Sequence, residues 1–259
     1  MRSNIVGIAL LASVCVQFGC ASESNQMVVP TYKTVFSQMP EAQEKSRTAL
    51  LSAYPELTPD QIEAIYSVPR AVFVTEAARH RTYDDLALPI GSGQMTLKLS
   101  DIAFLLTRIP MRPTANVLEI GTGTGYFAAV LSRLVAKVYT VEWVEYLSEI
   151  ARQWIDRLNI ANVSIRTGDG IVGWERHAPY DAILVTASLK GIPKVYFDQL
   201  KPEGYLAIAI IEDVNLTQWH VYQKKGDELV EIATKNTPVS AMVVVDENVE
   251  YFDLEAMEK

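Results

Sequence analysis

Cysteine, histidine and excess positive charge are scarce in this sequence, and each shortage excludes a class of function. Both cysteines, Cys15 and Cys20, lie near the N-terminus, so the rest of the chain has no disulfide framework, thiol nucleophile or cysteine-based metal site. The three histidines are scattered and lack the spacing of paired metal ligands. The net charge is −8, whereas nucleic-acid binding relies on Lys and Arg to neutralise phosphates. The sequence therefore predicts neither a metal site nor a nucleic-acid partner.

Residues 1–24 differ from the rest of the chain and are typical of an export signal. Arg2 precedes an apolar run from Ile5 to Val16, which is short for a membrane span, and small residues surround Cys20. The glycine before this cysteine resembles a lipoprotein cleavage site. We therefore expect an exported, periplasmic or membrane-anchored protein with a possible lipid anchor at Cys20. The alternatives are cleavage without lipidation, a buried N-terminal helix, or a cytoplasmic protein translated from Met27.

Length and composition suit one α/β domain with extensions, since the chain has 259 residues, of which 49% are apolar and 21% charged. Residues 25–40 are predicted to be a linker and residues 41–113 a helical and loop-rich N-terminal region. In that region Thr58-Pro59 is predicted to start one helix and Ser100 to cap another. Residues 114–250 form the predicted ligand-binding domain, and residues 251–259 a tail.

From Asn116 onward, short apolar runs alternate with helical stretches. Strands are predicted at 117–120, 137–141, 163–167, 182–187 and 205–211, and helices at 126–134, 144–158 and 193–200. This alternation indicates an α/β fold with a mostly parallel, doubly wound sheet that is covered on both faces. Later strands are predicted at 216–222, 229–233 and 239–245, the last ones antiparallel through a turn at Lys225-Gly226-Asp227.

The sharpest local signal is a glycine loop, Glu119-Ile120-Gly121-Thr122-Gly123-Thr124-Gly125, which follows a strand and opens a helix. Glycines let a ligand approach the backbone closely, and nucleotide-type ligands lie at the carboxyl ends of parallel strands. The third glycine comes one residue earlier than in the dinucleotide fingerprint. Glu119 would repel a phosphate but suits an ammonium group. S-Adenosylmethionine has an amino acid end and a sulfonium but no phosphate, so the loop predicts a site for this cofactor.

Two more acids end the next two predicted strands. Glu142 lies about 20 residues beyond the glycine loop, where a carboxylate can accept hydrogen bonds from both ribose hydroxyls. Asp169 can accept one from the adenine amino group. The predicted cofactor-binding residues are Glu119, Gly121, Thr122, Gly123, Gly125, Glu142, Asp169 and Gly170. The alternative interpretation is an α/β domain in which these acids are helix caps and solvated strand ends.

From about Val68 to Ile211 the sequence resembles the protein-L-isoaspartate O-methyltransferases. The stretches that carry the resemblance are Val68-Pro69-Arg70, Phe73-Val74, Tyr83-Asp84-Asp85, Ala87 to Gln94, Val117 to Tyr126, Asn162-Val163, Gly168-Asp169-Gly170, Gly173-Trp174, Ala178 to Ile183, Val185-Thr186-Ala187 and Leu200-Lys201-Pro202. The resemblance implies a Rossmann-like class I methyltransferase fold, S-adenosylmethionine as cofactor, and a damaged protein or peptide as methyl acceptor. An isoaspartyl carboxylate is already an anion at neutral pH, so its methylation needs positioning rather than a general base.

The acceptor side departs from the family pattern. The family continues Gly-Gln with Thr-Ile-Ser and assigns that serine to the active site, whereas this chain reads Gly93-Gln94-Met95-Thr96-Leu97. Leu97 therefore occupies the serine position, and Thr96 is the candidate catalytic hydroxyl, although adjacent side chains of an extended segment point oppositely. The expected acceptor-side residues are Gly93, Gln94, Met95 and Leu97. Residues 239–243 stand where the family has an Arg-Phe-Val-Pro-type strand.

These departures leave three hypotheses open. The chain could be an isoaspartyl carboxyl methyltransferase that tolerates the loss of the serine. It could methylate a different acceptor, for which the sequence offers no convincing base. It could also be a non-enzymatic cofactor-binding or interaction protein at the cell envelope. None of the three implies a particular oligomeric state.

Overall fold

The computed structural model describes residues 40–213, 216–237 and 249–252. Four predicted features lie outside these residues: the signal segment with Cys20, the linker up to residue 39, the strand at 239–245, and residues 253–259 of the tail. Within the described part of the chain, no helix is both long enough and apolar enough to cross a membrane.

Two helices open the described chain, α1 (Pro40–Ala53) and α2 (Pro59–Ser67). The predicted start of α2 is confirmed by a capping box, in which Thr58 Oγ1 accepts from the Gln61 backbone N–H at 3.2 Å. Gln61 Oε1 in turn accepts from the Thr58 N–H at 2.9 Å. The hydrogen bonds that cap α2 are therefore local in sequence.

The next helix, α3 (Leu99–Arg108), begins differently from the prediction that Ser100 caps it. The N-cap residue is Lys98, which has no capping side chain, and Ser100 lies inside the first turn. Its backbone N–H donates to Asp85 Oδ1 at 2.8 Å, so a carboxylate from the preceding loop satisfies a free helix-start donor. The prediction was wrong because the cap comes from a distant residue.

Between α2 and α3 the chain is rich in loops, as predicted. Two short 3-10 helices occur at Arg70–Val72 and Glu76–Arg81. A small antiparallel hairpin follows, with strands β1 (Pro89–Gly91) and β2 (Gln94–Met95). We call residues 82–97 the acceptor segment, because they contain this hairpin and the candidate acceptor-side residues.

The main sheet has seven strands in the described residues, in the order β5-β4-β3-β6-β7-β8-β9. The strands are β3 (Asn116–Ile120), β4 (Lys137–Glu142), β5 (Val163–Thr167), β6 (Tyr180–Leu189), β7 (Leu200–Asp213), β8 (Leu216–Lys225) and β9 (Glu228–Thr237). Strands β3 to β7 are parallel, whereas β8 and β9 pair antiparallel. The predicted fold class, a mostly parallel Rossmann-like sheet with antiparallel C-terminal strands, is confirmed.

Both faces of the sheet are covered, because neighbouring strand residues belong to different apolar clusters. Val117 and Leu184 pack in one cluster, and Leu118 and Ile183 in the other. Helices α3 and α4 (Tyr126–Leu131) contribute to the first cluster, α6 (Lys194–Asp198) to the second, and α5 (Glu145–Arg157) also flanks the sheet. The first cluster contains residues from both sides of residue 113. The domain boundary predicted at that residue stays a prediction.

The C-terminal hairpin is tied to the acceptor-side helices. The predicted turn between β8 and β9 is present, with Gly226 at φ 60°. At the far end of β9, Lys235 Nζ contacts Asp101 Oδ1 at 2.7 Å and Thr237 Oγ1 donates to Asp101 Oδ2 at 3.0 Å. Asp101 is buried near the start of α3, so this ion pair joins the last described strand to the helix that follows the acceptor segment.

Candidate functional site

A cavity opens at the carboxyl ends of the parallel strands, next to the point where the chain crosses from one side of β3 to the other through β6. This switch point is where open α/β sheets bind ligands. Most of the predicted site residues line the cavity, namely Glu119, Gly121, Thr122, Gly123, Glu142, Asp169 and Gly170 on one side and Gln94, Met95, Thr96 and Leu97 on the other. Two predicted residues, Gly93 and Gly125, are not part of the lining.

The glycine loop places backbone where a side chain would not fit. Gly121 has φ 102°, and a Cβ there would lie 2.6 Å from Thr186 Oγ1. That hydroxyl contacts the carbonyl oxygens of Ile120 and Gly121 at 3.0 and 2.9 Å. Gly123 has φ 55° and would clash with Ile90 Cδ1 at 2.9 Å. Gly125 instead packs against Ala151 of α5, which explains its absence from the cavity.

Glu119 is the most buried acid of the site, with 1% of its surface exposed. Its Oε2 accepts from Thr140 Oγ1 at 2.6 Å, and Thr140 in turn shares a hydrogen bond with Thr122. Its Oε1 is buried and has no partner among the described residues. Burial raises the pKa of Glu119 to about 8, Thr140 opposes that rise, and the charge of Glu142 adds to it. A ligand with a cationic hydrogen-bond donor would complement this carboxyl group.

Glu142 joins the end of β4 to the glycine loop. Its Oε2 accepts from the Gly123 N–H at 2.7 Å, and its Oε1 accepts from the Val144 N–H at 2.9 Å. Burial raises the pKa of Glu142, while the backbone donors from Val144 and Gly123 lower it. Each carboxylate oxygen can accept a second hydrogen bond, so the side chain is fixed in place and still able to accept bonds from a ligand.

Asp169 follows β5 and sits in a loop that Arg166 holds in shape. Asp169 Oδ1 accepts from the Ile171 N–H at 2.8 Å, and Arg166 Nη2 donates to the carbonyl oxygens of Asp169 and Gly173 at 2.8 and 2.6 Å. The Arg166 guanidinium also lies 5.3 Å from the Trp174 ring centre. Trp174 is not part of the cavity lining, and its ring packs against the side chain that holds this loop.

On the acceptor side, Thr96 and Leu97 both belong to the residues that line the cavity. Thr96 Oγ1 accepts from the Leu88 N–H at 3.1 Å and from Arg70 Nη2 at 3.0 Å. Leu97 is buried, and Met95 is exposed at the rim. The candidate catalytic hydroxyl is therefore engaged in a structural network.

Sequence reasoning missed several residues of the site. Thr140 and Thr186 contact the predicted residues from neighbouring strands, and Arg70 reaches Thr96 from the 3-10 helix that follows α2. The only signal for Thr140 was a polar residue inside an apolar stretch, whereas Arg70 and Thr186 stand in stretches that carry the family resemblance. None of the residues that line the cavity is a lysine or arginine, whereas three are the acids Glu119, Glu142 and Asp169. Such a site favours a ligand that carries positive charge and disfavours a pyrophosphate.

Comparison with known proteins places most of the chain in one family. Residues 51–248 match the family model described as protein-L-isoaspartate(D-aspartate) O-methyltransferase. The chain is similar to protein-L-isoaspartate O-methyltransferase 2 of Nitrosococcus oceani, with 42% identity over 168 residues that cover 65% of this chain and 77% of the relative. It is also similar to the protein-L-isoaspartate O-methyltransferase of Vibrio campbellii, with 42% identity over 152 residues, 59% of this chain and 73% of the relative.

Two solved structures share the fold over most of the chain. One, named protein-L-isoaspartate O-methyltransferase, gives a TM-score of 0.68 at 28% identity and covers 80% of this chain and 67% of its own. The other, from Plasmodium falciparum, is described as a protein of the same name in complex with S-adenosyl-L-homocysteine. Its TM-score is 0.63 at 21% identity, covering 79% of this chain and 98% of that one, a level of identity that bears on the fold alone.

The burial of Glu119 generates a test on the ligand-free protein. Its pKa in the folded state, about 8, lies above the ordinary value of 4.5, so the folded protein retains a proton that the unfolded chain releases. The stabilisation is fully present below the ordinary pKa and is lost as the pH rises through the folded-state pKa, by at most about 1.4 kcal/mol per pH unit. In Glu119→Gln this contribution should disappear, so the variant should gain stability over wild type as the pH rises.

The measurement is urea unfolding of both proteins across the range between these two pKa values. Glu44→Gln, on the exposed surface of α1, is the matched control for loss of one carboxyl group. A stability difference between Glu119→Gln and wild type that does not change with pH would contradict the burial of an uncompensated carboxyl group.

Proposed function

The chain belongs to the protein-L-isoaspartate(D-aspartate) O-methyltransferase family, and from this premise we propose that it methylates isoaspartyl carboxylates in damaged proteins or peptides with S-adenosylmethionine. The observation that carries the proposal is the cavity at the switch point of the sheet, with three acids, a glycine loop and no basic lining residue. Fold alone would not give this function, but the chemistry of the cavity agrees with the cofactor that the family uses.

The residues present fit S-adenosylmethionine. The unpartnered Oε1 of Glu119 suits the amino group of its methionine part, and Gly121 and Gly123 line the cavity with bare backbone that a ligand can approach closely. Glu142 would hold the ribose hydroxyls, and Asp169 would accept from the adenine amino group. When bound, the cofactor supplies a methyl group on a sulfonium, which makes that methyl electrophilic.

The task left to the chain is to bind and orient the acceptor. A carboxylate is ionised at neutral pH and needs no base to become a nucleophile, so proximity and orientation carry most of the rate enhancement. The apolar side chains of Ile90, Leu97 and Leu147 line the cavity and would exclude water from the reacting carboxylate. Gln94 and Thr96 are the polar residues of the acceptor segment in the lining, and the Thr96 hydroxyl accepts from Arg70 and from the Leu88 N–H.

Leu97 favours a second candidate function. A buried leucine at the position where the family has its active-site serine removes a hydrogen-bond donor for the acceptor carboxylate. This change would suit a methyltransferase with a less polar acceptor, or a protein that binds the cofactor without turnover. Both alternatives share the cofactor site and differ only in the acceptor.

We propose in addition that the protein is exported and attached to a membrane through Cys20. The support is the sequence of residues 1–24, in which an apolar run is followed by Gly19-Cys20. Two or more acyl chains at one cysteine would give stable attachment, whereas a single chain binds weakly. Mass spectrometry of the mature N-terminus tests the proposal: an acylated Cys20 supports it, and an intact chain starting at Met1 or Met27 contradicts it.

The cofactor site is tested by two glycine variants with the same backbone strain. Gly123 has φ 55° and lines the cavity, whereas Gly226 has φ 60° in the β8–β9 turn and open space around it. A valine at either position is strained, but only Gly123→Val places a branched side chain at the cavity. We expect Gly123→Val to weaken S-adenosylhomocysteine binding by more than about 100-fold, or roughly 2.7 kcal/mol.

Isothermal titration calorimetry measures both variants against wild type, and Gly226→Val should retain the wild-type affinity. Equal affinity in all three proteins would show that the cofactor does not bind at the glycine loop. Equal loss in both variants would mean that strain, rather than occupation of the cavity, abolishes binding.

The reaction is tested with labelled S-adenosylmethionine and a pair of peptides that differ only in isoaspartate or aspartate at one position. Base-labile label on the isoaspartyl peptide alone is the expected result, because methyl esters of carboxylates hydrolyse in base. Retained S-adenosylhomocysteine binding without label on either peptide would overturn isoaspartyl methylation and favour one of the two alternatives based on Leu97.

A comparison of Leu97→Ser with Leu97→Ala isolates the missing hydroxyl. Both substitutions remove the same buried leucine packing, so both should lose stability to a similar extent. A serine hydroxyl that donates to the acceptor carboxylate should raise kcat/KM for the isoaspartyl peptide about tenfold above the alanine variant. Equal kcat/KM in the two variants would show that the acceptor does not use a donor at this position.

A further inference from the structure

Arg70 lies beneath the acceptor segment and is almost completely buried, with 2% of its surface exposed. The four hydrogens of its Nη1 and Nη2 groups are directed at five acceptors, all in that segment, so one Nη2 hydrogen is shared. The acceptors are Thr82 O at 2.9 Å, Asp84 O at 3.3 Å, Leu86 O at 2.8 Å, Thr96 Oγ1 at 3.0 Å and Leu97 O at 2.7 Å. One side chain therefore contacts the segment both before and after the β1–β2 hairpin.

These contacts fix the two limbs of the hairpin relative to each other. Thr82 and Leu86 precede the hairpin, whereas Thr96 and Leu97 follow it and line the cavity. The planar, branched guanidinium can reach carbonyl groups on several sides at once, which an ammonium group cannot do. Arg70 itself does not line the cavity, so it sets the position of residues 94–97 from outside the cavity.

Arg70 also connects the acceptor segment with the cofactor half of the site. Its Cζ lies 5.6 Å from the ring centre of Tyr126, which lines the cavity directly after the glycine loop. The Tyr126 hydroxyl donates to Ile65 O at 3.0 Å, and the neighbouring Thr124 Oγ1 donates to Phe73 O at 2.6 Å. The 3-10 helix that carries Arg70 is therefore held against the glycine loop.

The burial of this cation is costly by itself. Arg70 forms no ion pair among the described residues and satisfies its donors with neutral oxygens, apart from an Nε that has no partner there. A buried cation without a paired anion loses solvation free energy that an apolar side chain would not lose. The arrangement is therefore explained by the geometry that it imposes on the acceptor segment rather than by its contribution to packing.

We propose that Arg70 is a positioning residue for the methyl acceptor. It holds residues 94–97 at the cavity through Thr96 Oγ1 and the Leu97 carbonyl, and it does not itself line the cavity. Thr96 then belongs to this network, because its hydroxyl oxygen accepts hydrogen bonds from Arg70 and from the Leu88 N–H. It is not a catalytic group. This inference rests on the proposed function for its acceptor, but its structural part can be tested separately.

The first test compares acceptor and cofactor binding in Arg70→Lys. Lysine keeps the charge but cannot contact both limbs, so KM for the isoaspartyl peptide should rise at least about tenfold through loss of charge-assisted hydrogen bonds. The Kd for S-adenosylhomocysteine should stay within about twofold of the wild-type value, a difference of about 0.4 kcal/mol in binding free energy. A rise of both constants together would indicate a general structural role and overturn the proposal, as would an unchanged KM.

Two other arginine-to-lysine variants serve as controls: one is expected to weaken mainly cofactor binding, and the other to change neither constant. Arg166→Lys disturbs the loop of Asp169 through Asp169 O and Gly173 O, so it should weaken cofactor binding more than acceptor binding. Arg47→Lys changes a partly exposed residue that faces Glu63 at 3.9 Å on the helices α1 and α2, and it should change neither constant. The same split for Arg70→Lys and Arg166→Lys would contradict the proposal.

The Thr96 variants keep the proposal testable if Arg70→Lys does not fold. Thr96→Val removes the oxygen that Arg70 and the Leu88 N–H use, whereas Thr96→Ser keeps it. Thr96→Val should raise KM for the acceptor and leave kcat near wild type, and Thr96→Ser should restore KM. A fall in kcat with unchanged KM would make Thr96 a catalytic residue instead and overturn this part of the inference.

Hydrogen–deuterium exchange provides a measurement that does not need turnover. In Thr96→Val, and in Arg70→Lys where it folds, exchange should accelerate in residues 82–97 and stay as in wild type in residues 118–125. Accelerated exchange in both regions, or in neither, would overturn the positioning role. Absence of methylation by the wild-type protein would overturn the proposed function alone, because the exchange pattern would still decide the role of Arg70.

Discussion

The burial of Glu119 without a positive partner is the constraint on which the rest of the site depends. The carboxyl group sits at the end of the central strand β3, one of its oxygens has no partner among the described residues, and burial raises its pKa to about 8. Such a group destabilises the ligand-free protein at neutral pH, because it is either desolvated as an anion or protonated against its ordinary tendency. A cationic ligand removes this penalty by pairing with the carboxylate. The relief of the penalty contributes to the free energy of binding.

The other features of the cofactor half follow from the same strand edge. Glu142 is fixed by the Gly123 and Val144 N–H groups, and Asp169 lies in a loop that Arg166 supports from below. In contrast, the acceptor half is built mainly from backbone carbonyls around Arg70. The two halves therefore have different chemical supports.

The features of the fold and the site that could be predicted from the sequence are those that depend on interactions between residues close together in the chain. The helix start at Thr58-Pro59, the strand–helix alternation and the glycine loop between a strand and a helix depend on residues within a few positions, and they were predicted correctly. The start of α3 was not, because its first donor is satisfied by Asp85, fifteen residues away. The role of Arg70 also depends on contacts between distant segments, for which periodicity carries no signal.

The most direct measurement of the central claim is the number of protons released when S-adenosylmethionine binds. Calorimetric titrations at pH 7 in buffers of different ionisation enthalpy give this number. If the ligand's ammonium group meets a Glu119 whose pKa is about 8, wild type should release close to one proton, and Glu119→Gln should release almost none. Binding of the cofactor with no proton release from wild type, or with equal release from the variant, would contradict the account.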